Sequence, residues 1–330
     1  MDSYSPPYSL TSQMLSLIAA ISEKIGLLTS HNELEKRPQL RRNNRIRSIH
    51  SSLKIEANSL SLSEVRGIIN GQTVIGPQKE ILEVKNAYAA YEKIPEIVPS
   101  SIFDLKRLHG IMTQGTVESS GEFRTTGEGV FSGGRCIFMA PPPDRVEWLV
   151  KDLLSWLRRS EGKVHPLIAA AVFHYELVFI HPFADGNGRM ARLWHTVILY
   201  RWRNIFQYLP LESQIERCQE EYYRAIADSN NAGNSTVLVE FMLTLLDKLL
   251  DEALLQLRKS PVETGIYVRK LLDVMEYEVP YSTQELLLRL KLKSKETLRR
   301  HYLHPALAQG LIRMSLPDKP QSKNQCYIKQ

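Results

Sequence analysis

At 330 residues, with 43% hydrophobic and 24% charged side chains, the chain is long enough for one large domain and a smaller one, and its composition is that of an ordinary soluble protein. Its three cysteines, Cys136, Cys218 and Cys326, lie far apart and match no metal or redox spacing, which argues against a disulfide framework and for a reducing, cytoplasmic setting. The net charge of +6 is uneven, because 12 lysines and arginines face 7 acids from Pro261 onward and a second basic run, KRPQLRRNNRIR, ends at Arg47.

The opening MDSYSPPYSL has no basic residue before Lys24 and does not read as a secretory signal. Leu10 to Leu28 has the helical spacing of Leu, Ile and Ala, and the basic run after it reads as a polar connection that is solvated or faces acidic partners. Helical periodicity returns in IHSSLKIEANSLSLSEVRGIING, with Ser61 and Glu64 as a capping box and Gly71 as a stop. PQKEILEVKNAYAAYEKI is an amphipathic helix opened by Pro77, and SIFDLKRLHGIMTQG is the next, closed by Gly115. Residues 121 to 143, GEFRTTGEGVFSGGRCIFMAPPP, break this pattern: SGGR between two short apolar runs is a hairpin signature.

Helices resume with VEWLVKDLLSWLRRS and PLIAAAVFHYELVFI, then LWHTVILYRW beyond the loop that follows. VLVEFMLTLLDKLLDEALLQL is interrupted by Glu240, Asp247, Lys248, Asp251 and Glu252, so it reads as one or two amphipathic helices and not as a membrane span. The last stretch has a capping box at Ser282 and Glu285, a second helix in SKETLRRHYLHPALAQGL, and a strand, basic turn and strand to the end. That order predicts a winged helix-turn-helix. The fold class is therefore mainly α, a helical bundle with a small β-hairpin and a small C-terminal winged helix. The boundaries read as an N-terminal arm over 1–48, a helical region over 49–70, a main domain over 71–258 and a last domain over 262–330.

The chemistry concentrates in HPFADGNGRMAR, residues 181–192, at a helix-loop-helix junction. GNGRMA fits a dinucleotide-binding glycine pattern, but no strand precedes it. HYE at 174–176 fits half of a zinc deaminase signature, but P-C-x-x-C is missing; His174 reads as a satisfied core histidine or a prop behind the site. Gly186, Asn187 and Gly188 leave backbone N–H groups uncovered at a helix's first turn, and Arg189 and Arg192 fall on one face of that helix, which together make a seat for phosphates. His181, before Pro182, is of the type that takes a hydroxyl proton near neutral pH. Asp185 is of the type that holds Mg²⁺ together with phosphate oxygens, and Phe183 reads as a core anchor. These are the parts of transfer at a phosphorus centre.

The same twelve residues resemble the signature of the Fic family, in which HPF, any residue, an acid, GNGR and a second arginine recur. GEFRTTGEGV and the hairpin resemble its flap, and the helical order from about 40 to 250 is similar. The resemblance implies transfer of AMP from ATP to a Tyr, Ser or Thr hydroxyl of a target protein, which can include the chain itself. It gives His181 the role of base, Asp185 that of Mg²⁺ ligand, Gly186, Asn187 and Gly188 that of phosphate cradle, and Arg189 and Arg192 the distal phosphates. The flap, about 130–139, would hold the target by strand addition. Ser52 and Glu56 in SSLKIEANSL resemble the family's inhibitory motif of Ser or Thr, three residues, Glu, then Gly or Asn; here Ala57 follows the glutamate.

Two rivals stay open at this point. The same site could remove AMP or transfer another nucleotide, and the chain could be a DNA-binding regulator that senses nucleotide, its winged helix contacting DNA or protein. The reading includes no membrane partner and leaves a homodimer open.

Overall fold

The computed structural model describes residues 4–30, 38–132, 135–259, 265–276, 279–320 and 322–329. The chain forms two compact units, Met1–His31 with Asn44–Ala253, and Asn32–Asn43 with Leu254–Gln330.

The first unit is built around two helices, α7 (Pro166–Ile180) and α8 (Asn187–Trp202), numbered in chain order. Their apolar residues are not confined to one stripe, so both are buried on nearly every side. Around them lie α1 (Ser12–Ser30), the part of α2 (Pro38–Ile55) from Asn44, α3 (Leu62–Ile69), α4 (Gln78–Glu92), α5 (Ile102–Met112) and α6 (Pro143–Ser160), followed by α9 (Leu211–Arg217), α10 (Gln219–Ala232) and the part of α11 (Thr236–Lys259) up to Ala253. The expected capping box is made: Ser61 Oγ accepts from Glu64 N at 3.3 Å while Glu64 Oε2 accepts from Ser61 N at 2.7 Å. None of the described helices is long and apolar enough to cross a membrane.

One expectation is overturned. The basic run is not a solvated connection but helical from Pro38 onward, its first two residues lying outside the described residues. Ile46, Ile49 and Leu53 are buried at helical spacing, Arg45 pairs with Glu92, and Asn44 Nδ2 donates to Tyr208 O at 2.9 Å. Tertiary partners thus fix a helix whose composition alone reads as polar.

Between α5 and α6 the strands β1 (Gly129–Ser132) and β2 (Arg135–Met139) pair antiparallel, with a register shift between Val130 and Phe131. Gly133 and Gly134, where the sequence places the turn, lie outside the described residues. Phe138 rests its ring 5.5 Å from that of Phe179 on α7.

In the second unit, α12 (Ile266–Val274) and α13 (Thr283–Arg289) precede a helix that runs through Lys295–Thr297, a wide π turn over Leu298–Leu303, and His304–Ala308. The strands β3 (Pro280–Ser282), β4 (Ile312–Met314) and β5 (Cys326–Lys329) form an antiparallel sheet in the order β3-β5-β4. Leu271, Tyr281, Leu286, Leu298, Leu303 and Ile312 make its core.

Candidate active site

The loop joining α7 to α8 is fixed from three directions. A residue before proline is disfavoured in the helical region, and the chain leaves α7 at His181, which takes a left-handed conformation (φ 51°) while its N–H still closes on Leu177 O at 3.0 Å. Phe183 is fully buried and stacks on the His109 ring at 3.7 Å with the planes 3° apart. Asn187 locks the same residue, its Oδ1 accepting from Phe183 N at 2.9 Å and its Nδ2 donating to Phe183 O at 2.7 Å.

His109 is a wedge under this loop. Its Nδ1 accepts from Gly121 N at 2.9 Å, so the proton of the neutral ring sits on Nε2, which donates to Asp185 O at 2.9 Å. Burial pushes the ring down to about 4, which keeps it neutral. Arg124 closes the third side. Its guanidinium donates to the carbonyls of His181 (2.7 Å), Thr126 (2.7 Å), Ile180 (3.3 Å) and Pro141, so one buried fork joins the base of the flap to the end of α7.

His181 sits at the edge of the site, half-buried. Burial holds its ring below the ordinary histidine value, and the Arg124 charge adds to that effect against the Val178 backbone and the Glu128 and Glu56 carboxylates. It is therefore neutral, and able to accept a proton, at neutral pH.

The anion seat is at the first turn of α8, and it already holds a carboxylate. Glu56 Oε1 accepts from Arg192 Nη2 at 2.7 Å, and the same oxygen lies so close above Gly188 that a Cβ there would collide with it. Only glycine lets an anion approach the backbone this closely. Arg192 is all but fully buried and is also held by Ser52, whose Oγ accepts from Nε at 3.2 Å and whose carbonyl accepts from Nη2 at 3.0 Å. Burial works most strongly against the guanidinium's charge, but Glu56 together with the Tyr222 and Tyr91 hydroxyls holds the group above its ordinary value.

Arg189 turns to other partners. It reaches Asp185 Oδ1 at 3.0 Å and Glu83 Oε1 at 3.7 Å, so the two arginines of one helix face divide three acidic neighbours, Arg192 taking Glu56 and Arg189 the other two. Asp185 is exposed, and its protein bonds, from Arg189 and from Gly186 N, both fall on Oδ1. The described residues contain no cluster of three or more His, Cys, Asp or Glu suited to a metal. A lone carboxylate with a spare oxygen beside an anion seat fits Mg²⁺, which is held by one carboxylate together with substrate phosphates.

Comparison with known proteins agrees with this arrangement. Residues 99–199 match the Fic/DOC family, and residues 267–328 match the filamentation induced by cAMP protein Fic-like, C-terminal domain. The crystal structure of a Fic family protein from Desulfovibrio desulfuricans G20 is 41% identical, with a TM-score of 0.75, over 99% of this chain and 98% of that one. The chain belongs to the Fic family. A structure of Fic-1 (residues 134–508) from Caenorhabditis elegans superposes with a TM-score of 0.62 at 26% identity, over 76% of this chain and 73% of that one. The curated protein adenylyltransferase fic-1 of C. elegans is 31% identical over 236 residues, 65% of this chain and 44% of that protein. This chain spans less than half the length of the curated relatives it matches.

Within this Fic fold the residues singled out from 181 to 192 lie on the α7–α8 loop and the start of α8, and Ser52 and Glu56 come from 136 or more residues away to meet Arg192. Two details differ from the sequence reading. Glu56 is not within a helix but in the turn that ends α2, and the Asn187 side chain faces Phe183, leaving only its backbone to the seat. His174 is fully buried, its Nε2 2.8 Å from Tyr222 Oη, as expected of a core histidine. Residues that sequence reasoning missed lie behind the loop. His109 carried no local signal, and Arg124 stood in the quoted GEFR with no partner to suggest its role.

Proposed function

We propose that this Fic protein transfers AMP from ATP to a hydroxyl side chain of a protein and that Glu56 holds the reaction back. The observation that carries this reading is the Glu56 carboxylate on Arg192 above Gly188, an anion in a seat made for a phosphate. The names of the curated relatives support the activity.

In this reaction the target oxygen attacks the α-phosphorus, the bond from that phosphorus to the β-bridging oxygen breaks, and pyrophosphate leaves. The hydroxyl proton passes to the neutral His181 ring. The α8 amides beyond Gly186 and the Arg192 guanidinium stabilise the negative charge, and the fixed loop keeps His181 at a constant distance from the phosphates. Asp185 would hold Mg²⁺, which neutralises phosphate charge when bound. The backbone edge of β1 and β2 offers hydrogen bonds to an extended target segment and needs little of its sequence. Glu56 and a distal phosphate of ATP would compete for Arg192, so a glutamate seated there supports the reading of a restrained enzyme.

Intact-mass spectrometry tests the reading. The purified chain, a Glu56→Gly variant and a His181→Ala variant are each incubated with ATP, Mg²⁺ and candidate target proteins. Covalent AMP on protein with Glu56→Gly and none with His181→Ala is expected; no AMP with Glu56→Gly on any protein, the chain included, refutes the activity.

A further inference from the structure

We propose that the C-terminal unit binds duplex DNA, with the helix over 295–308 entering the major groove and the β4–β5 hairpin following the flanking phosphates. The inference rests on charge segregation within that unit and is independent of the AMP-transfer reading. Between Lys291 and Lys329 nine lysines and arginines face two acids, whereas between Gly265 and Leu290 three face four. The second part of the stretch from Gly265 to Lys329 thus carries nine of its twelve lysines and arginines and only two of its six acids.

Seven of those nine are exposed on the helix over 295–308, on the turn before it and on the β4–β5 connection, whereas Lys329 is buried on β5 and donates to Leu272 O and Met275 O. Leu298, Tyr302, Leu303 and Ala306 turn inward to the core, while Lys295, Arg299, Arg300, His301 and His304 are exposed. Lys291 and Lys293, in the turn after α13, are exposed as well, and so are Lys319 and Lys323 in the connection between β4 and β5. Glu296 is the only acid on the helix. Among the described residues neither Arg299 nor Arg300 makes an ion pair with the protein, so their charge is not consumed within the chain.

The shape fits one partner better than others. A helix of this length spans about 21 Å and fits a B-DNA major groove about 12 Å wide. The deep, narrow major groove of duplex RNA excludes it. No large apolar side chain is exposed between Lys291 and Ala308, which speaks against insertion into a lipid surface. A helix-turn-helix followed by a basic hairpin presents two elements to neighbouring parts of one duplex, a geometry that a flexible acidic protein tail does not require.

Fluorescence anisotropy of a labelled mixed-sequence 30-base-pair DNA, titrated with the full chain at several salt concentrations, tests the proposal. Saturable binding is expected, with an affinity that falls steeply with salt at about one log–log slope unit per phosphate contact. Arg299→Ala with Arg300→Ala should weaken binding at least tenfold and flatten the slope by about two units. Lys319→Ala with Lys323→Ala should flatten it similarly, and both variants should keep the parent's circular dichroism and melting temperature. Absence of duplex binding at low salt, unchanged affinity in the Arg299/Arg300 variant, or tighter binding to duplex RNA or to poly-glutamate of equal charge would each overturn it, the last in favour of an acidic protein partner.

Discussion

Glu56 and Arg192 are 136 residues apart in the chain and 2.7 Å apart in the fold, and their ion pair closes over Gly188 in the first turn of α8. The arginine is almost wholly buried while the glutamate side chain keeps about a third of its surface exposed. The pair is therefore stronger than a surface contact and weaker than a fully enclosed one. The glutamate can leave without stranding a buried charge of its own, which suits a brake. Glu56→Gly should raise the initial rate of AMP transfer by tenfold or more, about 1.4 kcal/mol of relieved competition. The gain should vanish when His181→Ala is added. Equal rates for parent and Glu56→Gly at saturating ATP and Mg²⁺ would show that the pair does not restrain the reaction.

Ala57 should make that brake looser than the fold allows. It takes φ +65° in the turn that ends α2, where Ala57 N bonds Lys54 O at 3.0 Å and Asn58 N bonds Leu53 O at 3.1 Å. An L-residue in the left-handed region costs about 1 kcal/mol that glycine does not incur. This is the physical sense of glycine or asparagine at that place in the inhibitory motif. Ala57→Gly is expected to raise unfolding stability by about 0.5–1 kcal/mol and to lower basal AMP transfer. A faster basal rate would mean that the turn does not set the position of Glu56.

His181 gives transfer a pH dependence of definite sign. In the proposed reaction its ring would act as the base only when neutral, and burial lowers its value from the ordinary one. The rate should be flat through neutral pH and fall only below the usual histidine range of about 6.5. Removing the ring with His181→Ala should cost about a hundredfold or more while nucleotide binding persists, measurable by calorimetry in the Glu56→Gly background. An acid limb at or above 6.5 would indicate a different proton acceptor.

Arg124 should not be replaceable by lysine. Its planar fork donates to the carbonyls of four residues at the junction of flap and α7, which a single ammonium cannot reach together. Arg124→Lys is expected to cost about 2–3 kcal/mol of stability, the scale of one or two charged hydrogen bonds, and to lower AMP transfer more than it weakens ATP binding. A variant with parent stability and parent rate would show that the junction is held by other contacts.

His195 makes stability depend on acid. It is fully buried, neither ring nitrogen has a partner among the described residues, and burial pushes it down to about 3. The unfolded chain, with an ordinary value near 6.5, then binds the proton that the folded chain refuses. Stability is full above about 6.5 and falls as pH drops toward 3, by at most about 1.4 kcal/mol per pH unit for this residue. His109, pushed down to about 4, acts with the same sign. His195→Leu should flatten the difference in urea midpoint between pH 7 and pH 5; an unchanged difference would assign the acid sensitivity elsewhere.

Much of this protein was legible in the chain because its signals are local. The capping boxes at Ser61 and Ser282, the apolar runs of α7 and α8, and the glycines and arginines of the 181–192 loop each act over a few residues, so spacing alone exposes them. What the tertiary structure decided depends on contacts that no window of sequence contains. α2 is helical through its basic run because Glu92 and Tyr208 meet it from elsewhere. The loop is rigid because His109, from α5, and Arg124, from the segment before the flap, satisfy its carbonyls. Glu56 lies in the turn after α2, and only the fold shows its carboxylate above Gly188. Local patterns determine which helices form and which side chains carry charge; where a buried arginine finds its partner is decided by packing, since only the assembled fold excludes the water that would otherwise solvate the guanidinium.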